Sequence, residues 1–337
     1  MKRWLVRLVV AVVLAAAVAG GGVLWVNHRI AMPGPLLEQT SVVITKGMNT
    51  QAIAGLLQES GVIEQSWPFL ASHWLSGRHP LQAGEYAFPE HASMASVIDM
   101  MRRGQVVVHK ITVAEGLTVF QVMAQMRQVK GLSGNPTIPP DEGSLLPQTY
   151  RYSVGDSRDS VLTRMAQAMN DSLDALWPKR AANLPLTNKI DALVLASIVE
   201  RETAIAEERP HVAAVFLNRL TKHMKLQSDP TVIYAVSNGE GVLDRPLSQK
   251  DLAAPSPFNT YLVEGLPPGP ICNPGEASLA AVLHPADSAD LYFVADHSGG
   301  HVFAKTLAEH NHNVARLRQM EQGQLPSPTE KKVKSAR

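Results

Sequence analysis

The chain has 337 residues, a formal net charge of +1 and 5% aromatic residues. This balance does not favour nucleic-acid binding, which requires a basic surface with interleaved stacking side chains. The single cysteine, Cys272, excludes an intramolecular disulfide, and no Cys/His motif has the spacing of a metal site, so we expect neither a metal nor another cofactor.

The N-terminus carries a candidate membrane anchor. Residues 1–7 include Lys2, Arg3 and Arg7, and the uncharged apolar run 8–26 that follows has a helical length of about 28 Å, close to the hydrocarbon thickness of a bilayer. The basic residues before the run predict a cytoplasmic N-terminus and an external main chain. A cleaved signal peptide is the alternative, because small residues near Ala19 resemble a cleavage site, but the apolar run continues beyond them and favours an uncleaved anchor.

The next two segments are predicted to be a tether, 27–39, and a small module, 40–110. Within the module, alternating and helical patterns predict the order strand, helix, helix, strand, helix, at 41–45, 51–60, 67–75, 81–88 and 93–103. A further strand, glycine turn and helix at 111–126 echoes the start of the module and marks a boundary near residue 110.

Residues 111–320 are predicted to form a second domain of mixed α+β class, which makes the chain α+β as a whole. Helical patterns lie at 157–177, 188–206 and 210–222, and Asp229 before Pro230 is typical of a helix N-cap. Beyond residue 240 the chain is rich in loops with rigid prolines, and it ends with a strand at 290–295 and one more helix. The final segment, 321–337, is predicted to be a disordered basic tail.

The segment 195–203, with the sequence LASIVERET, carries the strongest chemical signal. On a helix, Glu200 shares one stripe with small residues and has no Lys or Arg three or four positions away. Burial without a cationic partner raises the pKa of a carboxyl group, which suits a general acid at neutral pH. The alternative is a solvated Glu at a frayed helix end.

Periodicity alone does not choose between the two acids of this segment. Glu202 falls on the side of Leu195 and Ile198, so it could be the more desolvated carboxyl group. Residues two apart on a helix point about 200° away from each other. Glu200 and Glu202 therefore cannot act together as paired acid and base across one scissile bond.

Six segments together resemble the endolytic murein transglycosylase family, also called the YceG-like family. They lie at 195–203, 215–219, 226–234, 259–261, 265–271 and 291–295. The resemblance extends from the anchor to about residue 320 and implies that the module 40–110 is LysM-like and that 111–320 is the YceG-like catalytic domain with its Glu on a helix. Cys272 is a departure, since we expect alanine there in relatives.

The resemblance implies an enzyme that cleaves peptidoglycan strands between N-acetylmuramic acid and N-acetylglucosamine and leaves 1,6-anhydromuramyl ends. It implies Glu200, the first Glu of the motif, as the catalytic acid. One carboxyl group can protonate the glycosidic oxygen and then accept the proton of the muramyl C6 hydroxyl, so no second acid is needed. The expected location is the inner membrane with a periplasmic catalytic domain, and the expected partners are glycan strands, the membrane and peptidoglycan synthases such as penicillin-binding proteins.

The other family-matching positions are candidate substrate contacts. Amide and hydroxyl groups at Gln227 and Ser228 suit the N-acetyl or lactyl groups of the sugar, and Asn259 and Tyr261 suit sugar binding from a rigid loop. Asp229 is either a helix cap or a site residue.

Two other functions remain open from sequence. A muramidase-type hydrolase would need a second carboxylate facing the acid, for which Asp229 is the candidate. A wall-binding scaffold would use the LysM-like module without cutting glycan.

Glu142 and Tyr150 are further candidates for lining the substrate cleft.

Overall fold

The computed structural model describes residues 2–136, 139–296 and 299–322 and has a mixed α+β architecture. The chain divides into two compact units. The first comprises Met1–Lys110, Lys130–Ser133 and Arg151–Ser157. The second comprises Ile111–Val129, Gly134–Tyr150 and Arg158–Arg337.

The first unit begins with a long apolar helix and continues with a small α/β module. Its elements are α1 (Lys2–Ala31), β1 (Thr40–Ile44), α2 (Thr50–Glu59), α3 (Ser66–Leu75), β2 (Gly84–Phe88) and α4 (Met94–Arg103). Within α1, the stretch Val6–Ala31 is long and apolar enough to cross a membrane. The predicted order of elements from residue 41 to 103 is confirmed, with the second strand beginning at Gly84 rather than at residue 81.

The small module is held by an antiparallel strand pair and capped helices. β1 and β2 pair with Val42 opposite Tyr86, and the buried side chains of both strands face the core shared with α2, α3 and α4. Asn49 caps α2 by accepting a hydrogen bond of 2.8 Å from the Ala52 amide. Ser93 caps α4 in the same way.

The second unit is mainly helical, with a hairpin near its end. Its helices are α5 (Val119–Gln128), α6 (Arg158–Leu176), α7 (Lys189–Glu202), α8 (Arg209–Thr221), α9 (Asp229–Val236), α10 (Gln249–Leu252), α11 (Glu276–Leu283) and α12 (Leu307–Glu321), with a 3₁₀ turn at Trp177–Lys179. After β1 and β2, the strands in chain order are β3 (His109–Thr112), β4 (Thr149–Tyr152), β5 (Tyr292–Ala295) and β6 (His301–Ala304). β3 pairs with β4, and β5 pairs antiparallel with β6.

Helix α7 lies at the centre of the second unit. Every residue from Ala192 to Val199 is buried, because α8 and α11 both pack against the helix. This burial explains the continuous apolar run in the sequence. The helix ends at Glu202, earlier than the predicted residue 206, because Thr203 adopts an extended backbone and its hydroxyl accepts a hydrogen bond of 3.0 Å from the Ile205 amide.

Several elements were not predicted from sequence. The segment beyond residue 240 was expected to be rich in loops, yet it contains α11, whose residues Leu279, Val282 and Leu283 belong to the core. Gly275 precedes this helix directly, so the turn signals around it obscured the start. Of the predicted tail, Glu321 is the last residue of α12, and 323–337 lie outside the described residues.

Candidate active site

Glu200 and Glu202 lie in the last turn of α7 and have different partners. Glu202 lines an open cleft of about 480 Å³ in the second unit. Among the described residues, Glu200 does not line this cleft. The geometric expectation that the two carboxyl groups diverge is therefore met in the structure.

Glu202 is held at the cleft by the start of α9. Its Oε1 accepts a hydrogen bond of 2.5 Å from the Ser228 hydroxyl. Desolvation by the surrounding protein raises the pKa of Glu202 to about 7, the hydrogen bond from Ser228 opposes this rise, and the nearby charge of Asp229 adds to it. A carboxyl group that exchanges its proton near neutral pH can act first as acid and then as base.

Asp229 faces the cleft and does not cap its helix. Ser228 occupies the N-cap position, with no side-chain cap hydrogen bond, and Pro230 follows Asp229 in the first turn. The prediction of Asp229 as N-cap is therefore wrong by one residue, because the helix begins at Asp229 itself. The Asp229 carboxylate instead accepts a hydrogen bond of 2.6 Å from the Tyr261 hydroxyl.

Tyr261 and Gln227 complete the polar wall around the acid. Desolvation and the hydrogen bond to Asp229 raise the pKa of Tyr261 well above its usual value, so its hydroxyl remains a donor. Gln227 is exposed at the cleft and has a backbone φ of 52°. Its backbone N–H donates a hydrogen bond of 3.1 Å to the Thr260 carbonyl. This left-handed backbone is uncommon for a residue other than glycine.

Arg219 supports the cleft wall, and the sequence reasoning did not single it out. Its guanidinium donates to the carbonyls of Leu291 at 2.7 Å and Leu226 at 2.8 Å, and it lies 5.1 Å from the centroid of the Tyr292 ring. It thereby joins the loop before α9 to β5. The family-like segment 215–219, which ends in this arginine, was the available signal.

Asn259 lies behind the cleft wall. It is 1% exposed, and its side-chain amide donates to the carbonyls of Leu252 at 3.0 Å and Ala254 at 2.9 Å. Its Oδ1 accepts a hydrogen bond of 3.0 Å from the Tyr261 amide. Asn259 therefore shapes the loop that presents Tyr261, and its own amide has no free group directed to a ligand.

Glu200 is engaged by protein groups on the other side of α7. Its Oε2 accepts a hydrogen bond of 2.8 Å from the Gly275 amide, and its Oε1 lies 3.5 Å from Arg209. Arg209 also lies 3.5 Å from Glu115, so two carboxyl groups share one guanidinium. The expectation that Glu200 lacks a cationic partner is wrong, because Arg209 comes from α8 and lies beyond the reach of spacing rules within one helix.

Glu142 and Tyr150 do not line the Glu202 cleft. The Tyr150 hydroxyl donates to the Leu146 carbonyl at 2.6 Å within the core. Glu142 accepts hydrogen bonds from the Val119 amide at 2.9 Å and the Tyr234 hydroxyl at 3.3 Å, in a separate cavity beside α5 and α9. Desolvation raises the pKa of Glu142 to about 7.

The described residues contain no group of three or more His, Cys, Asp or Glu side chains arranged to hold a metal ion. The polar lining of the Glu202 cleft consists of one buried cation, two carboxyl groups, one amide and three aromatic rings. These groups belong to Arg219, to Glu202 and Asp229, to Gln227, and to Tyr261, Tyr292 and His310, respectively.

The sequence model of the YceG-like family matches residues 42–316. The chain belongs to this family. The resemblance predicted from the sequence motifs is thereby confirmed. Five of the six segments that carried it line the cleft of this YceG-like chain, where they supply Glu202, Arg219, Asp229, Tyr261 and Tyr292.

Individual proteins are similar to this chain over most of its length. The endolytic murein transglycosylase of Bacillus subtilis (strain 168) is 32% identical over 303 residues, which cover 80% of this chain and 82% of the relative. That of Streptococcus pneumoniae serotype 2 (strain D39 / NCTC 7466) is 27% identical over 327 residues, 82% of this chain and 58% of the relative. The crystal structure of a YceG-like protein from Listeria monocytogenes has 29% sequence identity and a TM-score of 0.48, covering 82% of this chain and 99% of that one.

Proposed function

We propose that this protein is a membrane-anchored endolytic lytic transglycosylase. It would cleave peptidoglycan strands between N-acetylmuramic acid and N-acetylglucosamine and leave 1,6-anhydromuramyl ends. This cleavage would terminate or trim nascent strands. Membership of the YceG-like family and relatives named endolytic murein transglycosylase support the activity. The single observation that carries the site is the carboxyl group of Glu202, with its pKa raised to about 7, in the wall of an open cleft.

We assign the general acid to Glu202. The sequence-based prediction named Glu200, and that prediction stays untested, but the geometry favours its neighbour. Both oxygens of Glu200 face protein donors, and its side chain is 5% exposed. Glu202 has one oxygen held by Ser228 and borders the cleft that contains Gln227, Asp229 and Tyr261.

The proposed reaction needs only one carboxyl group. Protonated Glu202 donates its proton to the glycosidic oxygen while the bond from that oxygen to C1 of the muramyl residue breaks. The Glu202 carboxylate then accepts the proton of the muramyl C6 hydroxyl, whose oxygen forms the new bond to C1. The proton count balances, and the attacking group is already part of the substrate, which gives it a large effective concentration over water.

Asp229 has two proposed roles, which separate the main function from its closest alternative. As a carboxylate oriented by Tyr261, it would stabilise the positive charge that develops on the sugar. If it activated a water molecule instead, the protein would be a muramidase-type hydrolase with two acids at one cleft. The intramolecular attack favours the first role.

We also propose that α1 crosses the cytoplasmic membrane once, with a cytoplasmic N-terminus and a periplasmic catalytic domain. The apolar stretch Val6–Ala31 supports this location. The strand, helix, helix, strand order of the first unit supports the LysM-like assignment of residues 40–110, with glycan strands as its ligand. Peptidoglycan synthases are the proposed protein partners.

Product analysis tests the proposal. Purified full-length protein is incubated with isolated glycan strands, and the ends of the products are identified by mass spectrometry, with Glu202→Gln as the inactive control. Anhydromuramyl ends within long strands support the transglycosylase. Reducing muramyl ends would establish the hydrolase, and bound but uncut strands would establish a scaffold.

A further inference from the structure

Helix α3 has a second apolar face that does not enter the core. Phe69 and His73 are buried, whereas Trp67 and Trp74 are 44% and 61% exposed. Seven residues are close to two helical turns, so the two tryptophans lie on the same face, about 10 Å apart along the axis. Exposure of two indole rings to water on one short helix is energetically unfavourable. Such a cluster of exposed apolar side chains is typical of a binding surface.

The exposed face of α3 is continuous with the anchor. The ring of Trp67 stacks on Trp25 of α1, with centroids 5.7 Å apart and planes 7° from parallel. Arg29 of α1 also lies 3.8 Å from Glu64, just before α3. Trp25 belongs to the apolar stretch Val6–Ala31, near its C-terminal end.

The stacking fixes the depth of α3 relative to the bilayer. If α1 spans the membrane, Trp25 lies at the outer boundary between hydrocarbon and head groups, where tryptophan is enriched. A ring stacked on Trp25 lies at the same depth. Trp67 is therefore at the membrane boundary, and Trp74 lies on the same face of the same helix.

The charge around this face complements a phospholipid surface. The segment Ser66–Leu75 contains no acidic residue, and Glu64 just before it is paired with Arg29 of α1. Arg78 and His79 follow the helix and are exposed. A cation next to an aromatic, apolar helix face is the arrangement of interfacial helices, in which the cation meets lipid phosphates.

We propose that α3 docks through Trp67 and Trp74 on the outer leaflet of the membrane that α1 crosses. The partner is the lipid bilayer, with Arg78 at the level of the phosphates. This inference rests on the membrane-spanning role proposed for α1 and goes beyond it. A span alone would leave the small module free to tilt on its tether, whereas docking holds the module against the lipid surface.

Site-specific lipid quenching of the full-length chain tests the docking. Leu75→Cys, which is next to Trp74, is 48% exposed and leaves both tryptophans in place, is labelled with a small fluorophore and reconstituted in vesicles of phosphatidylcholine and phosphatidylglycerol, with and without lipids that carry a bromine quencher. Lys46→Cys, at an exposed position in the turn between β1 and α2, is the matched control. The native Cys272 is fully buried, so the unmutated chain serves as the labelling blank.

We expect severalfold stronger quenching of the label at position 75 than at position 46. Equal quenching at both positions, in a chain that stays with the vesicles after an alkaline carbonate wash, would overturn the docking and leave the anchor intact. Release of the chain by the wash would overturn both. A label at position 75 that reports an apolar environment without lipid quenching would show that protein covers this face, and would also overturn the proposal.

Discussion

The assignment of the acid is tested by exchanging each glutamate of α7 for its amide. Glu202→Gln is expected to lower kcat by about 10²–10⁴-fold, the usual loss when a general acid is removed, or about 3–5 kcal/mol of transition-state stabilisation. Glu200→Gln is expected to retain most of the turnover, because its partners are the Gly275 amide and Arg209 rather than the cleft.

The same pair of variants has opposite expected effects on stability. Burial raises the folded-state pKa of Glu202 to about 7 from an ordinary 4.5, so the folded protein binds more protons than the unfolded chain between these values. Glu202 therefore destabilises the fold as pH rises from 4.5 through 7, by at most about 3 kcal/mol above pH 7. Glu202→Gln removes this cost and should raise Tm at pH 8, whereas Glu200→Gln leaves Arg209 with a weaker partner and should lower Tm.

The assay combines turnover of purified glycan strands with thermal unfolding at pH 5 and pH 8. In the wild type, activity should fall as pH rises above about 7, since the acid must be protonated. A Glu202→Gln variant with near-normal turnover beside an inactive but folded Glu200→Gln variant would refute the assignment and return the acid to the residue that the sequence resemblance implied.

Further predictions concern the groups around the acid and the anchor. Ser228→Ala removes the hydrogen bond that lowers the pKa of Glu202, so the alkaline limb of the pH–rate profile should move to higher pH; a shift to lower pH would contradict this. Tyr261→Phe removes the donor to Asp229 and should reduce kcat with a stability change of about 1 kcal/mol, and an unchanged kcat would exclude a role in orienting Asp229. N-terminal sequencing of the membrane fraction should find α1 intact, whereas a mature chain beginning near Gly20 would show a cleaved signal peptide.

Local patterns predicted the regular elements of the first unit from residue 40 to 103 to within a few residues. In the first unit the alternation of apolar and polar residues predicted β1, and the helices that Asn49 and Ser93 cap in the structure begin within one residue of the predicted positions 51 and 93. These features depend on neighbours within a few positions, which the sequence shows directly. The helical pattern at 188–206 predicted α7, and the burial of Ala192–Val199 explains its continuous apolar run.

Contacts between distant segments set the limits of sequence reasoning at the site. Arg209 reaches Glu200 from another helix, so helical spacing could not reveal the ion pair. Asn259 has the chemistry of a sugar-binding residue, yet the carbonyls of its own loop use its amide. Residue type alone does not tell whether a polar group turns inward or outward, and that direction decides its role.

In the proposed mechanism, Glu200 positions the end of α7 and Glu202, on the opposite side of that helix end, carries out the chemistry. Because they point about 200° apart, any contact that fixes the rotation of the last turn of α7 through Glu200 also fixes the direction of Glu202. Glu200 supplies such contacts through the Gly275 amide before α11 and through Arg209 on α8. A frayed last turn would let Glu202 move away from Ser228 and into water, where its pKa would return toward that of a solvated carboxyl group. We therefore propose that the first acid of the motif holds the helix end, a role that Gln at position 200 could keep by accepting the bond from the Gly275 amide, and that the second exchanges the proton.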